Sequence, residues 1–345
     1  MAETFKKLSI VKHSNNIRES ASIIQIDLDP PKDDEILVKN YFVGINATDM
    51  NVMTGRSGFF QKSQIPFELG LESLGRLETI GSKVDSKYGL QIGQIGVVFA
   101  KKPKTYAEYV YCEPSEFLPI PEPRPEYIAL LDCGLTAAIG LDQLGQIRAG
   151  QTVLITAAAG GTGQIAIQWA KSKGCQVIAL CSNGEKESYL RSLGCCDHVI
   201  NYKDDNLDDI LSKNFPSGID VIWETYGGAL FEILFNHLAR HGKIVIVGAI
   251  TGYKTVGFPN ILIENLPLKL LDKSASICGF RFRHFYHLIP EYFEKLIKLY
   301  QQNKLSVKID RNNRDGKTFN GIASIVDAIE HLQSGQNIGK VIAEL

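Results

Sequence analysis

The stretch Val153–Gly163 (VLITAAAGGTG), followed by QIAIQWAKSKG, places small residues where chemistry could occur. Gly160 and Gly163 lie three residues apart, Ala158 stands where a first glycine would, and Gly161 and Thr162 complete the turn. An apolar strand that breaks into glycines and opens a helix leaves backbone N–H groups free at the helix start. Those groups can hold a pyrophosphate, and missing side chains let the backbone approach it. The context agrees: Ile165, Ile167, Trp169 and Ala170 give the helix an apolar face, and CQVIAL (175–180) reads as the next parallel strand. A dinucleotide cofactor is the expected ligand of Ala158, Gly160, Gly161, Thr162 and Gly163.

The second strand of such a unit normally ends in an acid that binds the adenosine ribose 2′-hydroxyl. Here it ends in Cys181-Ser182-Asn183. Ser182-Asn183-Gly184-Glu185 fits a capping box, which would occupy the Glu185 carboxylate at the helix start. With no acid to repel a 2′-phosphate, Ser182 can hydrogen-bond it and Lys186 can neutralise it, so NADPH is expected over NADH. The plainer reading of Lys186, a solvated helix residue, stays open.

Around these residues the chain must supply more than one core, since 345 residues exceed what one usually supports. A formal charge of −1 gives no long-range field for nucleic acid or an anionic membrane, so neither is an expected partner. Seven cysteines without framework spacing, and the start MAETFKKLSI without an apolar signal stretch, predict reduced thiols in a cytoplasmic protein, with a peroxisomal one as the alternative. Residues 153–170 carry no charge, yet their glycines, threonines and glutamines suit a buried strand-turn-helix better than a membrane span.

From Ile10 to about Leu118 short strand signals alternate with turns (IIQIDL, EILVKNYFVGI, SLGRLETIG, QIGVVF). PIPEPRPEY (119–127), with four prolines, marks a boundary. Six strands are then predicted at Val153–Thr156, Val177–Leu180, His198–Ile200, Val221–Glu224, Lys243–Val247 and Ser276–Cys278, with helices between most of them. That is an α/β doubly wound parallel sheet of the Rossmann type. The domain reading is a β-rich part over 1–125, the nucleotide domain over 126–280, and a return over 281–345 whose tail, GQNIGKVIAEL, pairs with the first part.

With this order, and with GINATDMNVMTG (44–55), PFELGLESLGRLETIG (66–81) and AAAGGTG (157–163), the chain resembles the medium-chain dehydrogenase/reductases over nearly its whole length. The resemblance implies that the β-rich part is a GroES-like catalytic domain. Zinc-dependent members place ligands at three matched positions, which here read Asn46, Leu71 and Cys133. Only one of these could bind zinc, so no metal is expected. The chain is therefore more similar to the zinc-independent quinone oxidoreductases and prostaglandin reductases. That resemblance implies that Thr136, Gly248, Ala249 and Ile250 line the nicotinamide. It further implies that Ser182, Lys186 and Tyr202 hold the adenosine phosphate, that Phe280 and Asn337 contact the cofactor, and that Tyr253 faces the substrate. A tyrosine usual in prostaglandin reductases two residues after the matched threonine is Ala138 here.

The implied reaction is NADPH-dependent reduction of the C=C bond of an α,β-unsaturated ketone, such as a 15-oxo-prostaglandin, by hydride delivery to the β-carbon. Charge then builds on the carbonyl oxygen and needs a hydrogen-bond donor. Tyr253 is the candidate donor, with a wall role equally open, and Asn46 is a second candidate for the catalytic loop. Phe280 and Phe282 could line a lipid chain and Arg281 and Arg283 pair with its carboxylate, against ordinary packing as the alternative. Quinone reduction is the rival reading, and a crystallin-like NADPH-binding structural or RNA-binding protein is the rival from another class. A homodimer is expected, through the short last strand within Ser274–Phe280.

Overall fold

The structure is a computed structural model and describes residues 3–56, 64–255, 257–312 and 317–345. It forms two compact units, one of Met1–Asp132 with Ile309–Leu345 and the other of Cys133–Lys308.

The first unit opens with β1 (Thr4–Ile10), α1 (Ile17–Ser20), β2 (Ala21–Asp27), β3 (Ile36–Gly44), α2 (Thr48–Met53) and β4 (Phe67–Glu68). β5 (Glu72–Ile80), β6 (Ile95–Phe99), β7 (Tyr109–Cys112), β8 (Phe117–Pro119) and α3 (Glu126–Ala129) follow. β2, β1 and β4 make a small antiparallel sheet. Ile36, Val38, Leu77, Val98, Val110 and Phe117, from β3, β5, β6, β7 and β8, close a core.

The second unit runs α4 (Thr136–Gly140), β9 (Thr152–Ile155), α5 (Gly161–Ser172), β10 (Gln176–Cys181), α6 (Gly184–Ser192), β11 (His198–Asn201) and α7 (Leu207–Asn214). It continues through β12 (Ile219–Glu224), α8 (Ala229–Asn236), β13 (Leu238–Ile246), α9 (Leu266–Lys273), β14 (Ser276–Gly279) and α10 (Ile289–Gln301). The six strands pair in parallel in the order β11-β10-β9-β12-β13-β14, the doubly wound arrangement expected. Each predicted strand is present. β13 begins five residues early, at Leu238, because the polar stretch Arg240-His241-Gly242 stays in the strand across a register shift against β12, with His241 at φ 61°. Leu154, Ile178, Leu180, Ile222, Leu234 and Ile244 pack into one core against α7 and α8.

The chain then enters β15 (Ile309–Asp310), α11 (Ser324–Ser334) and β16 (Lys340–Glu344). β16 runs antiparallel to β3, with Ile342 opposite Gly44, and completes a seven-stranded sheet in the first unit. The units divide at 132/133 and 308/309 rather than at the expected 125/126 and 280/281. Contacts made by Tyr292 and by Lys308 account for the later second division. The Tyr292 hydroxyl of α10 donates to Asp142 at 3.1 Å and its ring lies 6.0 Å from Trp169, and Gln164 bonds both backbone groups of Lys308, at 2.8 and 3.1 Å. Among the described residues one helical run, Glu126–Gly145, is long and apolar enough to cross a membrane, and 78% of its apolar 18-residue window is buried in the protein.

Candidate functional site

In the second unit the carboxyl ends of β9, β10, β11 and β13 carry residues singled out for the nucleotide. Ala157 takes φ 47°, and its carbonyl accepts the Gly160 N–H at 3.0 Å, which closes the turn after β9. Gly160 caps α5 in an extended conformation, leaving the first N–H groups of the helix at Gly161, Thr162 and Gly163 without i−4 partners in the helix. A Cβ on Gly163 would stand 2.3 Å from the Ala157 carbonyl oxygen and 2.6 Å from the Ala158 Cα. The third glycine is therefore required for helix to pack on strand, as the motif demands.

At the end of β10 the cap differs from the expected box. Asn183, not Ser182, is the N-cap: its side chain accepts the Lys186 N–H at 2.9 Å. An asparagine oxygen satisfies that amide, and the Tyr202 N–H donates to the Cys181 carbonyl at 3.1 Å, which brings Tyr202 beside Ser182. The Tyr202 and Tyr226 rings meet edge to face at 5.3 Å. Burial holds the Tyr202 phenol above its usual range, so it stays protonated. Ser182, Tyr202 and Lys186 thus gather at one end of α6, a donor set that suits a phosphate.

Next to this, Glu224 at the end of β12 is buried and accepts the N–H groups of Tyr226 and Gly227 at 2.7 and 2.8 Å. Gly227 and Gly228 both take positive φ, so the turn holds a left-handed path that other residues resist. Tyr226 and Glu224 were not singled out from the sequence; the glycine pair in ETYGG after a strand was the available signal. Tyr253 folds back onto the same region. Its buried hydroxyl accepts the Ala249 N–H at 3.2 Å and lies beside Gly248, where a Cβ would meet it at 2.8 Å. Thr136 starts α4 and is buried, while Ile250 is exposed. Phe280 is buried against Trp223 and stacks on Phe282 and Phe285, at 6.5 and 5.3 Å between ring centres. These aromatics thus pack on one another within the unit. Arg281 is half-buried and Arg283 exposed.

In the first unit a second cluster forms where the end of β3 and the starts of β5 and β16 meet. The Lys340 ammonium, 2% exposed, pairs with the fully buried Glu72 carboxylate and donates to Asn46 Oδ1 at 2.6 Å. Asn46 Nδ2 donates to the same Glu72 oxygen at 2.9 Å, and the Asp132 N–H reaches its other oxygen at 3.0 Å. Gly44 must lack a side chain because a Cβ there would stand 2.5 Å from Glu72 Oε1. The Asn46 N–H and the Tyr106 hydroxyl donate to Asp49 Oδ2, at 2.9 and 2.5 Å. Burial pushes the Asp49 carboxyl up to about 6 against those bonds. Asn337 is buried in this unit and donates to the Gly339 carbonyl at 3.1 Å.

The matched zinc positions do not fit the ion. Leu71 has no donor and the Asn46 carbonyl oxygen already faces an ammonium, which leaves Cys133 as a lone ligand where a tetrahedral site needs three. Neither Glu72 nor Lys340 was picked out in advance, although a charge inside an apolar strand is itself a signal.

Comparison with known proteins accords with this reading. Residues 32–122 match the alcohol dehydrogenase GroES-like domain and 161–302 the zinc-binding dehydrogenase domain. Prostaglandin reductase-3 of Mus musculus is 37% identical over 99% of this chain and 90% of its own. A probable quinone oxidoreductase of Leishmania amazonensis is 37% identical over 99% and 98%. The Escherichia coli quinone oxidoreductase, crystallised with NADPH, shares the fold at a TM-score of 0.84 and 21% identity, over 99% of this chain and all of that one. The chain belongs to the medium-chain dehydrogenase/reductases, in the quinone oxidoreductase-like family.

Proposed function

We propose that this chain is an NADPH-dependent oxidoreductase that reduces the conjugated C=C bond of enones or alkenals, with 15-oxo-prostaglandins among the substrates. The observation that carries it is the phosphate-suited set Ser182, Tyr202 and Lys186, gathered where the Tyr202 N–H bonds the Cys181 carbonyl at 3.1 Å, beside the Gly160–Gly163 turn. Relatives named a 2-alkenal reductase (NADP(+)-dependent) of Nicotiana tabacum and a (+)-pulegone reductase of Mentha piperita support the substrate class.

In this reading the N–H groups of Gly161–Gly163 hold the pyrophosphate, and Thr136, Gly248, Ala249, Ile250, Phe280 and Asn337 contact the cofactor. When bound, the nicotinamide supplies the hydride. The protein must then stabilise charge on the substrate oxygen. Tyr253 is the donor we assign, because an acceptor bond at its oxygen from Ala249 polarises its own O–H. Asn46 is a second contact, its amide oriented by Lys340 and Glu72. Following NADPH oxidation with an enone, with a quinone and with no acceptor tests the proposal. Turnover of the enone is expected. Faster turnover of the quinone would make the chain a quinone oxidoreductase, and none with either would leave a binding or structural protein. Replacing Arg281 and Arg283 with Ala is expected to raise KM for a carboxylated enone but not for its methyl ester, which checks whether a lipid carboxylate is recognised.

Cofactor choice gives a separate expectation. Lys186→Ala should weaken NADPH about tenfold and leave NADH unchanged, since only the former carries the 2′-phosphate that an ammonium neutralises. Fluorescence titration giving equal losses for both would refute the assignment.

A homodimer is also proposed. β14 is the outer strand of its sheet, and Leu262, Leu268 and Leu271 nearby are 83%, 57% and 75% exposed. Sedimentation should give about twice the 38.2 kDa chain mass, and a monomer at micromolar concentration would refute it.

A further inference from the structure

A side-chain amide has an oxygen that accepts and a nitrogen that donates, and in water it can turn end for end at little cost. Asn46 has lost that freedom. It lies between β3 and α2 and is 6% exposed. Its backbone is pinned in both directions: the Asn46 N–H donates to Asp49 Oδ2 at 2.9 Å, and its carbonyl accepts the Asp49 N–H at 3.1 Å. The Tyr106 hydroxyl holds the same Asp49 oxygen at 2.5 Å. Its side chain meets two opposite charges, the Lys340 ammonium 2.6 Å from Oδ1 and the Glu72 carboxylate 2.9 Å from Nδ2. Turning the amide would set its NH2 group against an ammonium and its oxygen against a carboxylate, so that two charge-assisted bonds become two repulsions.

The charge pair is an expensive way to hold a strand end. Lys340 is 2% and Glu72 0% exposed, and a buried ion pair adds little stability over apolar groups of the same volume. What the pair does supply is a fixed direction for Asn46. The amide spends its oxygen on Lys340 and one nitrogen hydrogen on Glu72, and its second Nδ2 hydrogen has no acceptor among the described residues. A buried donor left in that state costs free energy unless the oxygen of a ligand meets it.

We propose that Lys340 and Glu72 are positioning residues that lock Asn46 as a hydrogen-bond donor to the carbonyl oxygen of the substrate. This role rests on the reductase reading, and it requires a substrate oxygen that accepts and that gains charge as the β-carbon takes hydride. A locked donor needs no reorientation when that charge appears, so its contribution falls on the transition state rather than on substrate binding. Glu72 is itself tied down, since the Asp132 N–H holds its other oxygen at 3.0 Å. Lys340 and Glu72 therefore act through Asn46.

Turnover of an enone by NADPH is compared in the unsubstituted chain, Asn46→Ala, the double variant Glu72→Gln with Lys340→Met, and the triple variant. Asn46→Ala should lower kcat about 100-fold and leave KM within about threefold. The double variant, whose amide is free to turn, should lose about tenfold in kcat. The triple variant should be no slower than Asn46→Ala, because the pair has nothing to position once the amide is gone. Losses that multiply to about 1000-fold in the triple variant, or a double variant at full kcat, would overturn the proposal. A second measurement does not depend on turnover. In protein isotope-labelled at its asparagine side-chain nitrogens, the Asn46 amide resonance is assigned by its absence in Asn46→Ala. It should shift when the saturated ketone is added with NADP+, and less than half as far in the double variant. An enone that turns over while this resonance stays in place would also overturn the proposal. A shift in a chain that turns over no enone would uphold the locked donor and refute the reductase reading instead.

Discussion

Lys340→Met is expected to lower the melting temperature by about 10 °C or more. Its ammonium neutralises Glu72, which has no exposed surface and takes its other bonds from Asn46 and the Asp132 N–H. Removing one partner of such a pair strands a charge in the interior, at a cost of about 3–5 kcal/mol, whereas replacing both partners costs far less. The double variant with Glu72→Gln should therefore recover most of the loss. Calorimetry in which the single variant melts within a degree or two of the unsubstituted protein would show that the pair does not hold the strand ends.

The second large effect belongs to the glycine turn. Gly163→Ala should weaken NADPH about 100-fold and also lower the melting temperature without cofactor, because its Cβ would stand 2.3 Å from a backbone oxygen that cannot yield cheaply. Gly160→Ala should behave differently. The one atom near its Cβ is the Ala157 carbonyl oxygen at 3.3 Å, so the cofactor-free protein should melt as before while binding falls where the methyl meets the pyrophosphate. If the two variants behave alike in both measurements, the packing role assigned to Gly163 fails.

The glycine turn, the six strands and their order could be read in advance because each rests on local pattern: an apolar run, a break, and an amphipathic stretch that must lie on a sheet. Ser182 and Lys186 could be named for the same reason, and Tyr202 only through the family resemblance; the cap is Asn183 rather than Ser182, since serine and asparagine are both good caps and adjacent here. The Lys340–Glu72–Asn46 cluster was not legible. Lys340 reads as a solvated tail residue, and its partners lie 268 and 294 positions earlier in the chain, joined only by the register of β16 on β3. The end of the nucleotide unit was misplaced for a related cause. An amphipathic helix such as α10 announces that it will dock, but not on which core.

The β16–β3 pairing also fixes an order of events during synthesis. All of Cys133–Lys308 leaves the ribosome before β16 does, so the nucleotide-binding unit can complete its own sheet while the first unit still lacks a strand and Glu72 lacks its counter-charge. Domains emerging from the ribosome fold as units at the pace of translation. The earlier-made unit is thus the later to close, and until Lys340 arrives it exposes an open edge of β3 and a lone carboxylate, which makes the nascent chain's N-terminal part the segment in need of chaperone cover.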